Sequence, residues 1–177
     1  IELAVAPMIL NLAGPPTVFG ISGYSGAGTS PSPRNDPERL KDNVMPYALI
    51  GHKHEREASR HLGAQIQFTP HVVPAFRGLI ATAHLPLKEP MTAAALKAIY
   101  EKAYKDEKLI AIQEGIPELK DGTNRRGALV GGFTVAEDGR RAVVVCAIDN
   151  LLKGAAVQAI QNLNLALGLD ELMGIAP

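Results

Sequence analysis

The chain has 177 residues, and its 18 basic and 18 acidic side chains give a formal net charge of zero. Because nucleic acids and anionic membranes bind clustered Lys and Arg, this balance argues against both as partners and favours a small ligand. No apolar run in the sequence reaches the roughly 20 residues that a membrane span requires. The length suits one domain over residues 1–177, and the lone cysteine excludes an internal disulfide and a cysteine-based zinc site.

Helices and strands follow one another irregularly along the chain. Apolar periodicity predicts helices over residues 1–12, 55–62 and 152–167, together with a helix capped by Thr92. Strands are predicted over residues 17–21, 65–69, 78–87, 109–113, 129–135 and 141–148. The last two strands flank the turn Glu137-Asp138-Gly139 and should form an antiparallel hairpin. We therefore expect an α+β fold, with a mixed, mostly antiparallel sheet covered by helices.

The first and last helices carry further expectations. No capping side chain precedes Ile1, which favours a fragment or a processed piece of a longer chain. The helix at residues 152–167 has a wide apolar stripe that we expect to pack on the sheet. The stripe consists of Ala155, Ala156, Ala159, Ile160, Leu163 and Leu167.

Cys146 lies in the apolar run 143–148, which predicts a buried strand. A nucleophilic thiol needs partial exposure and a positive neighbourhood that lowers its pKa. We therefore interpret Cys146 as an inert core residue.

A glycine-rich loop follows the first predicted strand. Residues 23–30 have the outline of a phosphate-binding P-loop, but Thr29 occupies the position of its essential lysine, which argues against an NTPase. The closely spaced Gly and Ser residues of 22–28 still allow backbone N–H groups to approach an anion or a cofactor. A plain strand-to-loop connection is the alternative.

Residues 51–57 place two histidines, two acids and two bases at the start of a predicted helix. Histidine is the commonest general acid or base, and a nearby carboxylate can fix its tautomer and stabilise its charge. His52, His54 and Glu57 therefore form a candidate acid–base group. A metal site built from His52, His54 and His61 is one alternative, although no acidic or thiol ligand completes the set. A solvated helix start is the other.

Arg77 and residues 149–156 are two further candidates for ligand contacts. Arg77 lies in an otherwise apolar stretch, where an arginine either pairs with a structural acid or binds a carboxylate or phosphate of a ligand. Residues 149–156 join the last strand to the last helix, where ligands commonly lie in mixed folds. Simple capping of the helix by Asp149 or Asn150 is the alternative.

Taken in this order, segments 22–28, 51–57, 74–78 and 149–165 resemble N-acetyl-gamma-glutamyl-phosphate reductase over essentially the whole chain. Residues 31–37 and the hairpin residues 131–133 resemble the mitochondrial form, which is made as one polyprotein with the preceding kinase of arginine biosynthesis. The resemblance implies the C-terminal domain fold of semialdehyde dehydrogenases and glyceraldehyde-3-phosphate dehydrogenase. It also implies a mitochondrial matrix location and a homo-oligomer.

The resemblance implies an NADPH-dependent reduction of N-acetyl-glutamyl 5-phosphate to N-acetyl-glutamate 5-semialdehyde, with release of phosphate. In the family a cysteine attacks the acyl phosphate, a histidine acts as acid and base, and a hydride reduces the thioester. His52 matches the family's catalytic histidine, and His54 and Glu57 match its supporting partners. Which of the two histidines transfers the proton stays open.

Cofactor and substrate roles follow from the same resemblance. The family's loop beside the nicotinamide and phosphates is matched by Ser25, Gly26, Ala27 and Gly28. Asn150 matches an asparagine near the nicotinamide amide, and Arg77 and Tyr24 are implied contacts for the substrate. The family's nucleophile and its nucleotide-binding domain lie upstream of Ile1, so the resemblance implies that this chain alone is inactive. Residues 122–127 depart from the family pattern and receive no role.

Two other classes of function are alternatives to the reductase. A domain like that of aspartate-semialdehyde dehydrogenase shares the Ser-Gly-Ala-Gly loop and the Asp-Asn-Leu junction, but the His-x-His-x-x-Glu cluster argues against it. A non-enzymatic oligomerisation or ligand-binding module predicts that the polar clusters lie far apart. An enzyme requires His52, Asn150 and the loop around Ser25 to meet on one open face.

Overall fold

The computed structural model describes residues 1–175. Its α-helices are α1 (Glu2–Val5), α2 (Pro37–Leu40), α3 (Lys53–Leu62), α4 (Ala93–Ala103), α5 (Leu119–Gly122) and α6 (Val157–Ala166). Its strands are β1 (Thr17–Gly23), β2 (Met45–Pro46), β3 (Gln67–Val73), β4 (Leu79–Pro86), β5 (Ile110–Ile112), β6 (Ala128–Val135) and β7 (Arg141–Ile148). Segments of 3-10 helix cover Ala6–Asn11 and Tyr24–Ala27, and a π-helical turn covers Leu152–Ala156.

The seven strands form one sheet in the order β2-β3-β1-β4-β7-β6-β5. The pairs β1–β3 and β5–β6 are parallel, and the other four pairs are antiparallel. The expected mixed, mostly antiparallel sheet is therefore confirmed. The strand predicted over residues 65–69 corresponds to β3, which begins and ends later, because its ladder with β1 runs from Gln67 to Val73. The edge strand β2 was missed because it has only two residues, one of them a proline.

Helices cover one face of the sheet and enclose the core. Val18, Ala83 and Val144 lie on that face and are fully buried. Tyr100 of α4 is equally buried, and its hydroxyl donates to the carbonyl oxygen of Ala4 at 2.5 Å. This bond ties α4 to α1, so the two helices are fixed relative to each other on this face of the sheet.

Much of the opposite face of the sheet is accessible to solvent. Phe19 is 40% exposed, and its cross-strand neighbour on β4 is Thr82. Thr17 and His84, the next pair along the same ladder, are exposed as well. β1 and β4 therefore present a mixed apolar and polar face that the described residues leave largely uncovered, whereas Val145 and Ala147 of β7 are buried on the same face.

The predicted helix over residues 1–12 is wrong in part. Only Glu2–Val5 is α-helical, and a 3-10 segment continues to Asn11. Pro7 lies in the first turn of that segment, and a proline cannot donate the backbone hydrogen bond that a continuing α-helix needs. The chain therefore tightens into 3-10 geometry at this point.

The orientation predicted for the last helix is also wrong. Ile160, Leu163 and Leu167 are 39%, 57% and 63% exposed, and the alanines of the stripe are exposed too. The buried side instead carries Lys153, Val157, Gln161 and Asn164. Polar side chains are tolerated there because each finds a partner: Lys153 Nζ donates to Gln161 Oε1 at 2.6 Å, and Asn164 Nδ2 donates to the carbonyl oxygens of Glu171 and Met173.

Several local expectations are confirmed. Thr92 Oγ1 accepts from the backbone N–H of Ala95 and so caps α4. Gly63 ends α3 with a φ of 64°, a conformation that favours glycine. Cys146 is buried in the core, where burial raises the pKa of its thiol. None of the helices in residues 1–175 has the length and apolar character needed to cross a membrane.

Candidate active site

A cleft of about 610 Å³ opens on the helix-covered side, at the edge of the sheet where β1 and β7 end and β4 begins. Four of its lining residues come from three distant parts of the sequence: Ser25, Gly26, His54 and Asn150. Gly28 and Glu57 line it as well. The structure therefore brings the glycine-rich loop, the histidine segment and the strand-to-helix junction together in one place.

A second cavity of about 970 Å³ lies beside the same loop. Tyr24 and Phe76 line it, and their rings meet edge to face at 5.4 Å. Ser25, Gly28 and Leu151 line both spaces. The glycine-rich loop is thus a shared wall, and Tyr24 lines only the second cavity, whereas His54 lines only the cleft.

The glycine-rich loop is held by its backbone. The N–H groups of Gly23, Tyr24 and Ser25 donate to carbonyl oxygens of segment 75–78. A Cβ atom on Gly26 would lie 2.8 Å from Ser22 Oγ, so a larger residue would force the Ser22 side chain to move. Gly28 has a φ of 82° and an open side, which allows close approach of a ligand to the backbone.

Asn150 fastens this loop to the start of β4. Its Nδ2 donates to Ser25 Oγ at 2.9 Å, and its Oδ1 accepts from the backbone N–H of Gly78 at 2.7 Å. The side chain therefore holds two segments that are far apart in sequence, and it does so at the wall of the cleft.

Asp149 is fully buried and organises the other side of the junction. Its Oδ1 accepts from the backbone N–H groups of Leu151 and Leu152, and its Oδ2 accepts from that of Asn124. Capping by Asp149, one of the two interpretations of this junction, is thus present beside the contribution of Asn150 to the cleft.

Arg77 pairs with that structural acid. Its Nη1 lies 3.5 Å from Asp149 Oδ2 and donates to Asn124 Oδ1 at 2.7 Å. The arginine side chain is 28% exposed. Of the two interpretations made from the sequence, the structure contains the ion pair, and Arg77 is absent from the lining of both cavities.

The expectation that His52 meets Asn150 and the Ser25 loop on one open face is wrong for His52 itself, which is buried and does not line the cleft; His54 of the same segment lines it instead. His52 Nδ1 accepts from the backbone N–H of His54 at 3.1 Å, and the His52 ring packs on Tyr47 and Phe68. Burial lowers the pKa of His52, and the positive charges of His54, Lys53 and Arg34 lower it further. His52 is therefore a neutral helix cap at neutral pH.

His54 faces the cleft with a half-exposed side chain. Its Nε2 lies 3.9 Å from Glu57 Oε2, and its ring centroid lies 4.8 Å from that of His52. Partial burial lowers the pKa of His54, and the carboxylate of Glu57 opposes this effect. A neutral imidazole beside a carboxylate can accept a proton and stabilise the resulting charge.

Glu55 holds the histidine turn in place and was missed from the sequence. Its Oε1 accepts from the backbone N–H of Gly51 at 3.0 Å, and its Oε2 accepts from that of Phe68 at 2.9 Å. Both carboxylate oxygens thus connect the start of α3 to β3. A glutamate three residues after a helix cap is a known capping signal, and it could have identified Glu55.

The metal-site alternative finds no support in the geometry. His61 Nδ1 lies 2.8 Å from Glu2 Oε1 and forms an exposed pair with it. Over residues 1–175, no three His, Cys, Asp or Glu side chains are grouped so that they could hold a metal ion.

Comparisons with known proteins extend this description. The model of the family described as "Semialdehyde dehydrogenase, dimerisation domain" matches residues 1–150. The chain is 53% identical to N-acetyl-gamma-glutamyl-phosphate reductase of Xanthomonas axonopodis pv. citri. The matched region of 174 residues covers 98% of this chain and 55% of that protein. It is 49% identical to "Protein arg-6, mitochondrial" of Neurospora crassa, over 98% of this chain and 20% of that protein. The chain thus spans about half the length of the bacterial reductase.

Solved structures with the same fold include aspartate semialdehyde dehydrogenase II from Vibrio cholerae. That structure superposes with a TM-score of 0.75 at 18% identity, over 94% of this chain and 59% of the other. The aspartate semialdehyde dehydrogenase from Francisella tularensis gives 0.69 at 14% identity, over 92% and 61%. At these identities the likeness concerns the fold alone, and it confirms the expected semialdehyde-dehydrogenase fold.

Proposed function

Because the chain belongs to the semialdehyde dehydrogenase dimerisation-domain family, we propose that it is the catalytic and dimerisation half of an N-acetyl-gamma-glutamyl-phosphate reductase. The whole enzyme would reduce N-acetyl-glutamyl 5-phosphate to N-acetyl-glutamate 5-semialdehyde, in arginine biosynthesis. The observation that carries the proposal is the meeting of His54, Glu57, Asn150 and the glycine-rich loop in one cleft. Identity of 53% to a reductase of that name supports the choice of substrate.

His54 is the residue we assign to proton transfer. Its imidazole is neutral at neutral pH because burial lowers its pKa, so it can take the proton of a thiol nucleophile and later return it to the thiolate that leaves as the aldehyde forms. Glu57 stabilises the protonated ring from 3.9 Å. His52 acts as a positioning residue, since its Nδ1 fixes the backbone of His54.

The nucleophile belongs to the part of the enzyme outside this chain. Cys146 cannot serve, because it is buried in the core and burial raises the pKa of its thiol. A thiolate attacks the acyl carbon and phosphate leaves; hydride addition to the resulting thioester then gives the aldehyde and frees the thiol. On this proposal the chain alone is inactive.

NADPH would supply that hydride when bound. The glycine-rich loop fits such a cofactor, since Gly28 has an open side and the loop offers the Ser25 hydroxyl beside it. Asn150 keeps the loop in position through Ser25. The cofactor's own domain would be the upstream half, which this chain does not include.

A homo-oligomer and a mitochondrial location complete the proposal. The open sheet face around Phe19, Thr82 and His84 is available to a second copy, in keeping with the family's description as a dimerisation domain. The matrix location is supported by the similarity to the mitochondrial arg-6 protein, whereas the reductases with 52–53% identity are bacterial.

The proposal is tested with the full-length protein that carries this chain. Oxidation of N-acetylglutamate semialdehyde would be measured with NADP and phosphate in wild type, His54→Asn and His52→Asn. We expect wild-type turnover, a loss of about 100-fold or more in kcat for His54→Asn, and a smaller loss for His52→Asn. An inactive wild type would refute the function, and a fully active His54→Asn would refute the role of that residue.

Aspartate-semialdehyde oxidation is the matched comparison. The structures with the same fold act on that substrate class by name, but they share only 14–18% identity with this chain. The same protein should therefore show little turnover of aspartate semialdehyde. If the protein instead preferred aspartate semialdehyde, the proposed substrate would be wrong, although the proposed reaction class would stand.

A further inference from the structure

Arg34 contacts a residue that lines the cleft. Its guanidinium carbon lies 4.8 Å from the centroid of the Tyr47 ring, and Tyr47 lines the cleft together with His54. The neighbouring residues Ser32 and Asn35 line the second cavity. Arg34 itself lines neither space, but its contact with Tyr47 and its sequence neighbours Ser32 and Asn35 place it close to the walls of both.

The segment that carries Arg34 is fastened to that loop. Asn35 Nδ2 donates to the carbonyl oxygens of Gly28 and Ser30 at 2.9 and 2.8 Å. Asn35 Oδ1 accepts from the backbone N–H of Ser32 at 2.8 Å. These bonds fold the proline-rich segment back on the loop, so the backbone beside Arg34 is fixed relative to the candidate active site.

The stacked arginine has hydrogen-bonding capacity to spare. Stacking on an aromatic ring uses the face of a guanidinium, whereas its five N–H donors lie in the plane. Within the described part of the chain, Arg34 forms no ion pair with a carboxylate. Arg77 differs, because Asp149 and Asn124 already engage it.

The charge around Arg34 favours an anion. Lys53 lines the cleft, and the positive charges of both Lys53 and Arg34 lower the pKa of His52. Two nearby carboxylates are engaged by backbone N–H groups: Glu55 accepts from Gly51 and Phe68, and Asp36 accepts from Glu38 and Arg39. The carboxylate that lines the cleft, Glu57, faces His54 at 3.9 Å. A planar, permanently charged donor with a second cation nearby suits a phosphoryl group better than a neutral ligand.

We propose that Arg34 binds the phosphoryl group at this cleft, using Tyr47 as a platform for its guanidinium. The group is that of the acyl phosphate before reaction and inorganic phosphate after it has left. The inference rests on the proposed function and adds a phosphate-binding residue to it. Arg34 acts in binding alone, since a guanidinium offers hydrogen-bond donors and no acceptor for a proton.

The test uses the full-length protein in the oxidation direction, where inorganic phosphate is a substrate. The Michaelis constants for phosphate and for NADP would be measured separately in wild type, Arg34→Gln and Arg34→Lys. Arg39→Gln is the matched control, because Arg39 lies exposed on α2, a few residues away. We expect Arg34→Gln to raise the KM for phosphate by about tenfold or more, Arg34→Lys to recover part of it, and the control to match wild type.

The two Michaelis constants distinguish the phosphoryl group of the substrate from a phosphate of the cofactor as the group that Arg34 binds. A rise confined to the KM for phosphate supports binding of the leaving phosphoryl group, and a rise confined to NADP overturns it in favour of a cofactor phosphate. Unchanged constants for both also overturn the proposal. Thermal unfolding of Arg34→Gln should match wild type, which excludes misfolding as the cause.

A binding measurement separates this inference from the proposed function. Inorganic phosphate would be titrated into the same full-length protein while the ring protons of His52 and His54 are followed by NMR. Saturable shifts in wild type that weaken about tenfold in Arg34→Gln support the site even if turnover is absent. Equal titrations in both proteins refute it.

Discussion

The amide of Asn150 donates to the hydroxyl of Ser25 at 2.9 Å, which joins two residues 125 positions apart in sequence. The same side chain accepts from the backbone N–H of Gly78. One amide thus closes the strand-to-helix junction against the glycine-rich loop and against β4. The geometry of the cleft thus depends on a side chain that joins segments distant in sequence.

Asn150→Ala should lower the free energy of unfolding by about 1–3 kcal/mol, because it leaves the N–H of Gly78 and the hydroxyl of Ser25 without their partner. The loop should also loosen, and the KM for NADP of the full-length protein should rise. Denaturant unfolding and steady-state kinetics measure the two effects. Asn162→Ala is the control, since Asn162 is exposed and accepts only from Gln158; an equal loss in that variant would contradict the role given to Asn150.

Glu55→Ala should reduce kcat while leaving the KM for NADP unchanged. The substitution removes both acceptors that hold the histidine turn against β3, so the ring of His54 loses its fixed position. A cost of about 1–3 kcal/mol in the free energy of unfolding is expected as well. Glu38→Ala, an exposed change in α2, should alter neither quantity. A kcat equal to wild type in Glu55→Ala would show that the turn holds without it.

The stability of the chain should fall on the acidic side of neutrality. Burial lowers the folded-state pKa values of His52 and His54 below the ordinary histidine pKa of about 6.5, so the unfolded state binds more protons as the pH falls. The contribution of the neutral rings is complete above pH 6.5 and is lost as the pH falls toward the lower folded-state values. Unfolding by denaturant between pH 8 and pH 5 measures this. His52→Asn should flatten part of the dependence, and an unchanged slope would contradict the assignment.

Glu57→Gln should move the acidic limb of the pH–rate profile to lower pH. The Glu57 carboxylate opposes the effect of burial, so its removal lowers the pKa of His54 further. The profile of kcat/KM in the full-length protein reports this shift. A limb that stays in place would mean that another group controls the reaction.

The orientation of α6 gives a test by paired substitutions. Leu163→Ser should change the free energy of unfolding of this chain by no more than about 0.5 kcal/mol, because Leu163 is exposed. Asn164→Ala should cost about 1–3 kcal/mol, because two carbonyl oxygens lose their donor. Thermal and denaturant unfolding compare the two neighbours directly. The opposite ranking would restore the packing expected from the apolar stripe.

Local signals were sufficient for much of this fold. The cap at Thr92, the stop at Gly63 and the hairpin turn at Gly139 each depend on residues close in sequence, and all are present. The sheet class followed from the hairpin and from the irregular order of elements. The family resemblance rested on short motifs, so it was also accessible from the sequence.

Expectations that depended on distant partners fared less well. The burial of Lys153 and Gln161 in place of the leucine stripe depends on a hydrogen-bond chain that continues to Glu171. Apolar periodicity cannot detect such a chain, because it weighs each side chain by its own polarity. The contact of Arg34 with Tyr47 could not be predicted from local sequence patterns either, because a loop and a helix separate the two residues along the chain.

The strand directions have a practical consequence for experiments on this protein. β7 runs from Arg141 at the hairpin turn to Ile148 at the cleft, a distance of roughly 25 Å for eight extended residues. The turn at residues 137–139 is therefore remote from the candidate active site, although it joins two strands of the same sheet. A fluorophore, an affinity handle or a surface tether attached at Asp138 would report on or immobilise the domain without entering the cleft.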